Sequence, residues 1–174
     1  GGPGTFLLES AEQGAGAGGA AWSRYSFIGV RTPATLVERD GIAQWLGTPP
    51  PGAPDGGGDP LRVLAETVSA LADAGADPDP DLPPLTGGMV GYLGYDVVRR
   101  LERLPTLAEN DLRLPELGMM LATDLVVLDH FNGSAILVAN AILPPRENTG
   151  DEPENAASVA SDDESVLAAY HHAV

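Results

Sequence analysis

Glycine sets the tightest limit on how this chain can fold. In the segment Thr86-Gly87-Gly88-Met89-Val90-Gly91-Tyr92-Leu93-Gly94-Tyr95-Asp96, four glycines interrupt an otherwise β-like apolar run. Glycine weakens a strand unless another backbone or a ligand must come close, or the strand must bulge. The spacing is not that of a dinucleotide-binding loop, because no long helix with a downstream acidic residue follows. The segment therefore reads as a strand pressed against a neighbour. Tyr92 and Tyr95 are expected to bury their rings and hydrogen-bond at their tips.

The rest of the chain reads mainly as short strands. Thr5–Ser10, Arg24–Val30, Ala34–Arg39 and Ile42–Leu46 are strand candidates, and four so close together predict antiparallel sheet. Asp40-Gly41 is a two-residue hairpin signal. Gly118–Phe131 and Ser134–Ala141 read as one long hairpin, with Asn132-Gly133 as a type I′ turn. Asp59 reads as a helix N-cap with Pro60 at the first helical position. Leu61, Leu64, Val68 and Leu71 form the apolar face of that helix, which runs to about Gly75. Asp96 is placed to cap a short helix through Val97, Val98 and Leu101. Glu12–Ala21 reads as a mobile Gly/Ala loop and Pro144–Asp163 as an acidic surface stretch. Glu164–Val174 reads as the start of a further helix.

Composition narrows the function classes. The 174 residues suggest one domain, and their 43% apolar content is enough for a core. There is no cysteine, so disulfides and thiolate metal sites are excluded. The net charge is −16, and all nine basic residues are Arg, which argues against a nucleic-acid partner. No apolar run is long enough to span a bilayer, and no basic-then-apolar leader opens the chain. A cytoplasmic protein without a membrane partner is expected.

Few residues invite chemistry. Glu9 and Ser10 end an apolar strand, where a carboxylate and a hydroxyl could orient an ammonium group. From spacing alone, a strand simply running out into solvent is the simpler reading. Arg24 and Ser26 share a face of the next strand by alternation. Arg24 could meet a ligand carboxylate, or form an ordinary cross-strand ion pair with Glu9. His130 lies beside a turn, adjacent His171 and His172 point apart, and Asp124 and Asp129 fall on opposite faces of one strand. No catalytic or metal-binding constellation emerges from these spacings.

Order and spacing of several segments carry a resemblance across residues 3–142. Phe6-Leu7-Leu8-Glu9-Ser10, Arg24-Tyr25-Ser26-Phe27-Ile28-Gly29 and the glycine-studded segment through Val97-Val98-Arg99-Arg100 are its main parts. Asp111-Leu112-Arg113-Leu114-Pro115, Leu121-Ala122-Thr123-Asp124-Leu125 and Ala139-Asn140-Ala141 also fit. Together they resemble the N-terminal domain of anthranilate synthase component I, with an actinobacterial flavour. Aminodeoxychorismate synthase component I shares the central segment and is the alternative family. A stand-alone amino-acid-binding module is a further alternative.

The resemblance implies an α+β fold, a mostly antiparallel two-sheet sandwich with a few flanking helices. It implies a regulatory and structural domain over 1–142, an acidic linker over 143–163, and a helix at 164–174 leading to a C-terminal catalytic domain. The full-length family enzyme converts chorismate to anthranilate with ammonia or glutamine, in tryptophan biosynthesis. The resemblance places Mg²⁺ and all catalytic residues in that C-terminal domain and implies a glutamine amidotransferase partner. It assigns L-tryptophan feedback inhibition to Leu8, Glu9, Ser10 and Arg24, with Ser26 as an additional contact. This chain alone is then expected to be inactive.

Overall fold

The computed structural model describes residues 4–9, 24–72, 80–105 and 109–144. Within them lie β1 (Phe6–Leu8), β2 (Tyr25–Arg31), β3 (Ala34–Arg39), β4 (Ile42–Gly47) and α1 (Pro60–Leu71). Then come β5 (Gly88–Leu93), a 3-10 helix at Tyr95–Arg100, β6 (Leu117–Ala122), β7 (Asp124–Asp129) and β8 (Ser134–Ala139). Two four-stranded sheets form, ordered β1-β2-β7-β8 and β4-β3-β6-β5. The chain is therefore α+β and built on antiparallel pairing. The readings of Glu12–Ala21, of Gly75 and of residues 145–174 lie outside the described residues, as does Ser10.

The chain divides into two compact units, described in turn. One unit, Pro33–Ala72 with Gly88–Leu121, holds the second sheet and α1. Asp40 and Gly41 both take positive φ, 52° and 80°, so the β3–β4 turn is the type I′ turn its sequence signals. Leu36, Ala43, Val63 and Leu117 form the core, with Trp45, Leu61, Leu64, Met89 and Met119 packed against it. Each fully buried leucine there contributes about 1.5–3 kcal/mol.

Asp59 caps α1 by accepting the Arg62 N–H at 3.0 Å. The buried face of α1 is Pro60, Val63 and Thr67, whereas Val68 is exposed. Of the expected Leu61/Leu64/Val68/Leu71 stripe, Leu61 and Leu64 pack against the core and Val68 is exposed, so the buried face is rotated toward Val63 and Thr67. Thr67 can turn inward because its hydroxyl donates to the Val63 carbonyl at 2.8 Å, leaving no unmet polar group. The helix stops at Leu71, with Ala72 extended.

The glycine-studded segment behaves as its composition demands at one position above all. A Cβ on Gly91 would run into the Gly118 carbonyl of β6. Tyr92 spreads its ring over Gly118 and donates its hydroxyl to Pro115 O at 3.1 Å. Tyr92 and Tyr95, both expected to be buried, are both exposed. Gly94, not Asp96, occupies the N-cap of the 3-10 helix, and Asp96 pairs with Arg99 at 2.8 Å. Arg100 bonds Glu116 at 2.7 Å and Asp59 at 2.8 Å, tying the start of α1 to the residue before β6.

The other unit holds the first sheet. Phe6 stands opposite Gly29 in the β1–β2 pairing, and its ring fills the space a Gly29 side chain would need. Asn140 donates to Thr86 O at 2.6 Å and to Thr123 O at 3.0 Å, so Thr86, Thr123 and Asn140 meet at one point. The first four strands pair antiparallel as expected, β1 with β2 in one sheet and β3 with β4 in the other. One reading is corrected here: Gly118–Phe131 is not one strand, because pairing breaks at Thr123 and β6 and β7 join different sheets.

The β7–β8 turn is also not type I′. It spans His130–Gly133, with Gly133 alone among its residues at positive φ, 65°, and Gly133 N–H donating to Asp129 O at 2.8 Å. The Asp129 carboxylate supplies the difference, since it collects the N–H groups of Phe131 and Asn132 and so stabilises a longer loop.

Replacing Gly91 with Ala is expected to destabilise the protein by about 1–3 kcal/mol, as overpacking does in a closed site. Urea unfolding of the two forms measures it. An unchanged midpoint would mean that β5 and β6 separate easily and that this glycine is not required by close approach.

Candidate functional site

The residues singled out in the sequence gather at one end of the first sheet. Leu8, the last residue of β1, is exposed and stands opposite Phe27 of β2. That register carries the chain on to Glu9, exposed just past the strand, beside the start of β2 where Arg24 and Ser26 lie. Adjacency of β1 and β2 follows the sequence reading. Ser10 falls outside the described residues.

Arg24 does not pair with Glu9. Its Nε donates to Asp129 Oδ1 at 2.9 Å and its Nη2 to Asp129 Oδ2 at 2.6 Å, a two-pronged bond between planar groups. The guanidinium carbon also lies 4.8 Å from the Tyr25 ring centre and 5.6 Å from that of Phe131. Three groups thus fix the arginine. Its Nη1 has no partner among the described residues. The Asp129 hydrogen bonds hold the Arg24 pKa above its ordinary value, against the opposing pull of burial.

Asp129 is the buried member, with its side chain 2% exposed. Besides Arg24 it accepts from Phe131 N at 3.0 Å, Asn132 N at 3.3 Å and Asn132 Nδ2 at 2.8 Å. The Arg24 hydrogen bond, then the two backbone N–H groups, hold its carboxyl far below the usual carboxylate range, although burial opposes them.

Ser26 is buried, and its hydroxyl lies 2.8 Å from His130 Nε2. It faces a protein partner rather than open solvent. Asp129, His130 and Phe131 were not identified as site residues from the sequence. The available signal was an Asp followed by a turn ending in Asn-Gly, which marks a carboxylate bound to its own loop. Nothing local links it to Arg24, which lies 105 residues earlier.

This corner presents an exposed carboxylate, a guanidinium fixed by Asp129, and apolar strand residues. Among the described residues no three His, Asp or Glu side chains are placed to share a metal ion. Among them, too, no helix is long and apolar enough to cross a membrane.

Fold and corner together define a small α+β sheet module with a polar corner at one sheet end. No model of a known protein family matches the chain. Anthranilate synthase component 1 of Mycobacterium tuberculosis is 54% identical over 140 residues, covering 80% of this chain and 26% of that protein. The Arthrobacter globiformis protein of that name is 50% identical over 140 residues, covering 80% and 25%. The Streptomyces coelicolor one is 40% identical over 146 residues, covering 84% and 23%. A crystal structure of anthranilate synthase component I from Streptococcus pneumoniae superposes with a TM-score of 0.56 over 92% of this chain and 33% of that one. Its 18% identity makes that a likeness of fold. The chain belongs with the anthranilate synthase component I proteins and matches their N-terminal part. It spans about a quarter of the length of these curated relatives.

The Asp129 linkage has a definite sign. A depressed carboxyl stabilises the fold at pH values above the unfolded pKa of about 3.9, and that stability drains away as pH falls further. Asp129→Asn should therefore be less stable than the parent at neutral pH, and the gap should narrow as pH drops below about 4. Thermal melts at several pH values measure it. A gap that stays constant down to strong acid would show that shape, not charge, makes Asp129 valuable.

Proposed function

We propose that this chain is the N-terminal, regulatory part of an anthranilate synthase large subunit acting in tryptophan biosynthesis. In this reading the full-length enzyme converts chorismate to anthranilate with ammonia, drawn from a glutamine amidotransferase partner. The carrying observation is the 54% identity over 140 residues to a protein of that name. The cytoplasm is the setting that such a biosynthetic role implies.

The resemblance assigns Mg²⁺ and the reacting groups to the part of the polypeptide beyond this match. The isolated chain should make no anthranilate.

We assign tryptophan feedback binding to the polar corner. Glu9 is exposed, carries a carboxylate and is not engaged by Arg24, so it can receive the inhibitor's ammonium. Arg24 is already oriented by Asp129 and keeps Nη1 for the inhibitor's carboxylate. Leu8 lines the approach from β1, and the resemblance assigns Ser10, outside the described residues, to the same site. Ser26 supports the floor through His130, and contributes to binding indirectly.

In the full-length enzyme, Glu9→Ala or Ser10→Ala should leave uninhibited turnover nearly intact. A charge-assisted hydrogen bond contributes about 1.5–3 kcal/mol, so each loss should raise the inhibitory tryptophan concentration roughly ten- to a hundredfold. Inhibition curves for parent and variants decide the matter. Unchanged curves in both variants would reduce these residues to the end of a strand.

A further inference from the structure

A titratable ring stands at the sheet end that carries Glu9. Ser26 Oγ lies 2.8 Å from His130 Nε2, so both side chains share one face of the first sheet. Leu8 stands opposite Phe27, and one further step of that register sets Glu9 beside Ser26. Alternation puts Glu9 on the face of Ser26 rather than on that of Phe27. The His130 backbone is fixed as well, since its N–H donates to the Arg24 carbonyl at 2.9 Å. Glu9, Ser26 and His130 are thereby grouped on one side of the sheet end.

The bond by itself does not call for an imidazole. Ser26 is 2% exposed, so its hydroxyl needs a partner, but an amide in place of the ring would serve. What an imidazole adds is a charge that changes within the range of about pH 5 to 8. His130 is exposed, so protons reach it from solvent. The direction of the bond depends on the same proton. A neutral ring can accept from the Ser26 hydroxyl, whereas an imidazolium can only donate to it and occupies its oxygen. The charged groups that the register brings round the ring are Glu9 past β1, Arg24 before β2 and Asp129 beside it. Arg24 and Asp129 are bonded to each other and offset each other's charge. Glu9 supplies the remaining charge, and it is the group assigned above to the inhibitor's ammonium.

We propose that His130 makes tryptophan binding at this corner proton-linked, with the neutral imidazole as the binding form. The proposal rests on the reading that the corner is a tryptophan feedback site. An imidazolium held on the face of Glu9 attracts that carboxylate itself and repels the ammonium the carboxylate would receive. It also takes up the Ser26 oxygen as an acceptor, so both effects act in one direction. The inhibitor's carboxylate does not offset them, because Arg24 is the group that receives it. Tryptophan binding then expels a proton, and by reciprocity acid weakens the binding. His130 acts through Glu9 and Ser26, and is thus a positioning residue for the inhibitor.

The test is calorimetry of L-tryptophan binding to the full-length enzyme, in buffers of different ionisation enthalpy. Between about pH 6 and 7, where an imidazole exchanges its proton, the parent should release protons on binding. Its Kd should rise about three- to tenfold from about pH 8 to about pH 5.5, the effect of unit charges several ångströms apart at a protein surface. His130→Gln keeps an amide for Ser26 and cannot become charged. It should match the parent at the alkaline end and stay nearly level on acidification. His130→Lys keeps its charge throughout and should bind weakly even at the alkaline end. A ring that merely packs would lower affinity in His130→Gln and leave the pH profile unmoved. Absence of proton release by the parent overturns the inference without any substitution. An equal pH dependence in parent and His130→Gln overturns it by assigning the proton to another group. Tighter binding in acid, lost in His130→Gln, overturns it by placing the imidazolium on the inhibitor's carboxylate. In each of these cases tryptophan still binds, and the regulatory reading stands. No tryptophan binding at any pH removes that reading, and this inference with it.

Discussion

Asp129 is the point on which the described corner of the first sheet turns. A carboxylate that is almost fully buried must gather donors or lose its charge. This one gathers five: two from Arg24, two backbone N–H groups, and the Asn132 amide. The consequences run in two directions. The loop after β7 is drawn round the carboxylate, which sets the register of β8. The guanidinium at the start of β2 is pinned in one orientation, stacked between Tyr25 and Phe131. A single side chain thereby links a hairpin turn to a candidate ligand group 105 residues away in sequence.

Arginine is scarce here, which makes its placement informative. Of nine basic residues, Arg24, Arg31, Arg62, Arg99 and Arg100 form ion pairs with named carboxylates. Arg62–Glu66 and Arg99–Asp96 are local helix pairs and exposed, so they contribute little. Arg24 and Arg100 are different, because each is bonded across long sequence separations and each bridges distinct elements. Arg100 does for the second sheet's unit what Arg24 does for the first, joining α1 to the approach to β6.

Local chemistry was legible and long-range choice was not. Asp40-Gly41 announced its turn because both residues tolerate positive φ, and Asp59-Pro60 announced a helix start because cap and ring restrict the backbone directly. Gly91 could be read as close approach since nothing else excuses a glycine there. By contrast, the break at Thr123 has no local mark: Leu117–Ala122 and Asp124–Asp129 are both good strands, and the Asn140 amide that holds Thr123 lies far along the chain. The rotated face of α1 was hidden by a polar residue, because Thr67 satisfies itself within the helix and can pass as core. Asn132-Gly133 misled because its turn type was decided by Asp129 rather than by the dipeptide. In the site, β1–β2 adjacency could be inferred from pattern, but Arg24's partner could not, since Glu9 and Asp129 are equally plausible carboxylates on paper.

That choice of partner bears on how such a corner could work. Had Arg24 paired with Glu9, an amino acid arriving between them would first have to break an ion pair, and each group would satisfy the other. Pairing with Asp129 instead separates the tasks. Arg24 is held rigid by a carboxylate that no ligand needs to touch, while Glu9 remains exposed and open to an ammonium. Groups fixed before binding lose less entropy on binding, so a weak polar corner gains affinity without gaining contacts. Under the proposed role this matters more than tightness alone. A feedback site must respond to metabolite levels, and charged groups already set by the fold let it do so without first breaking an ion pair.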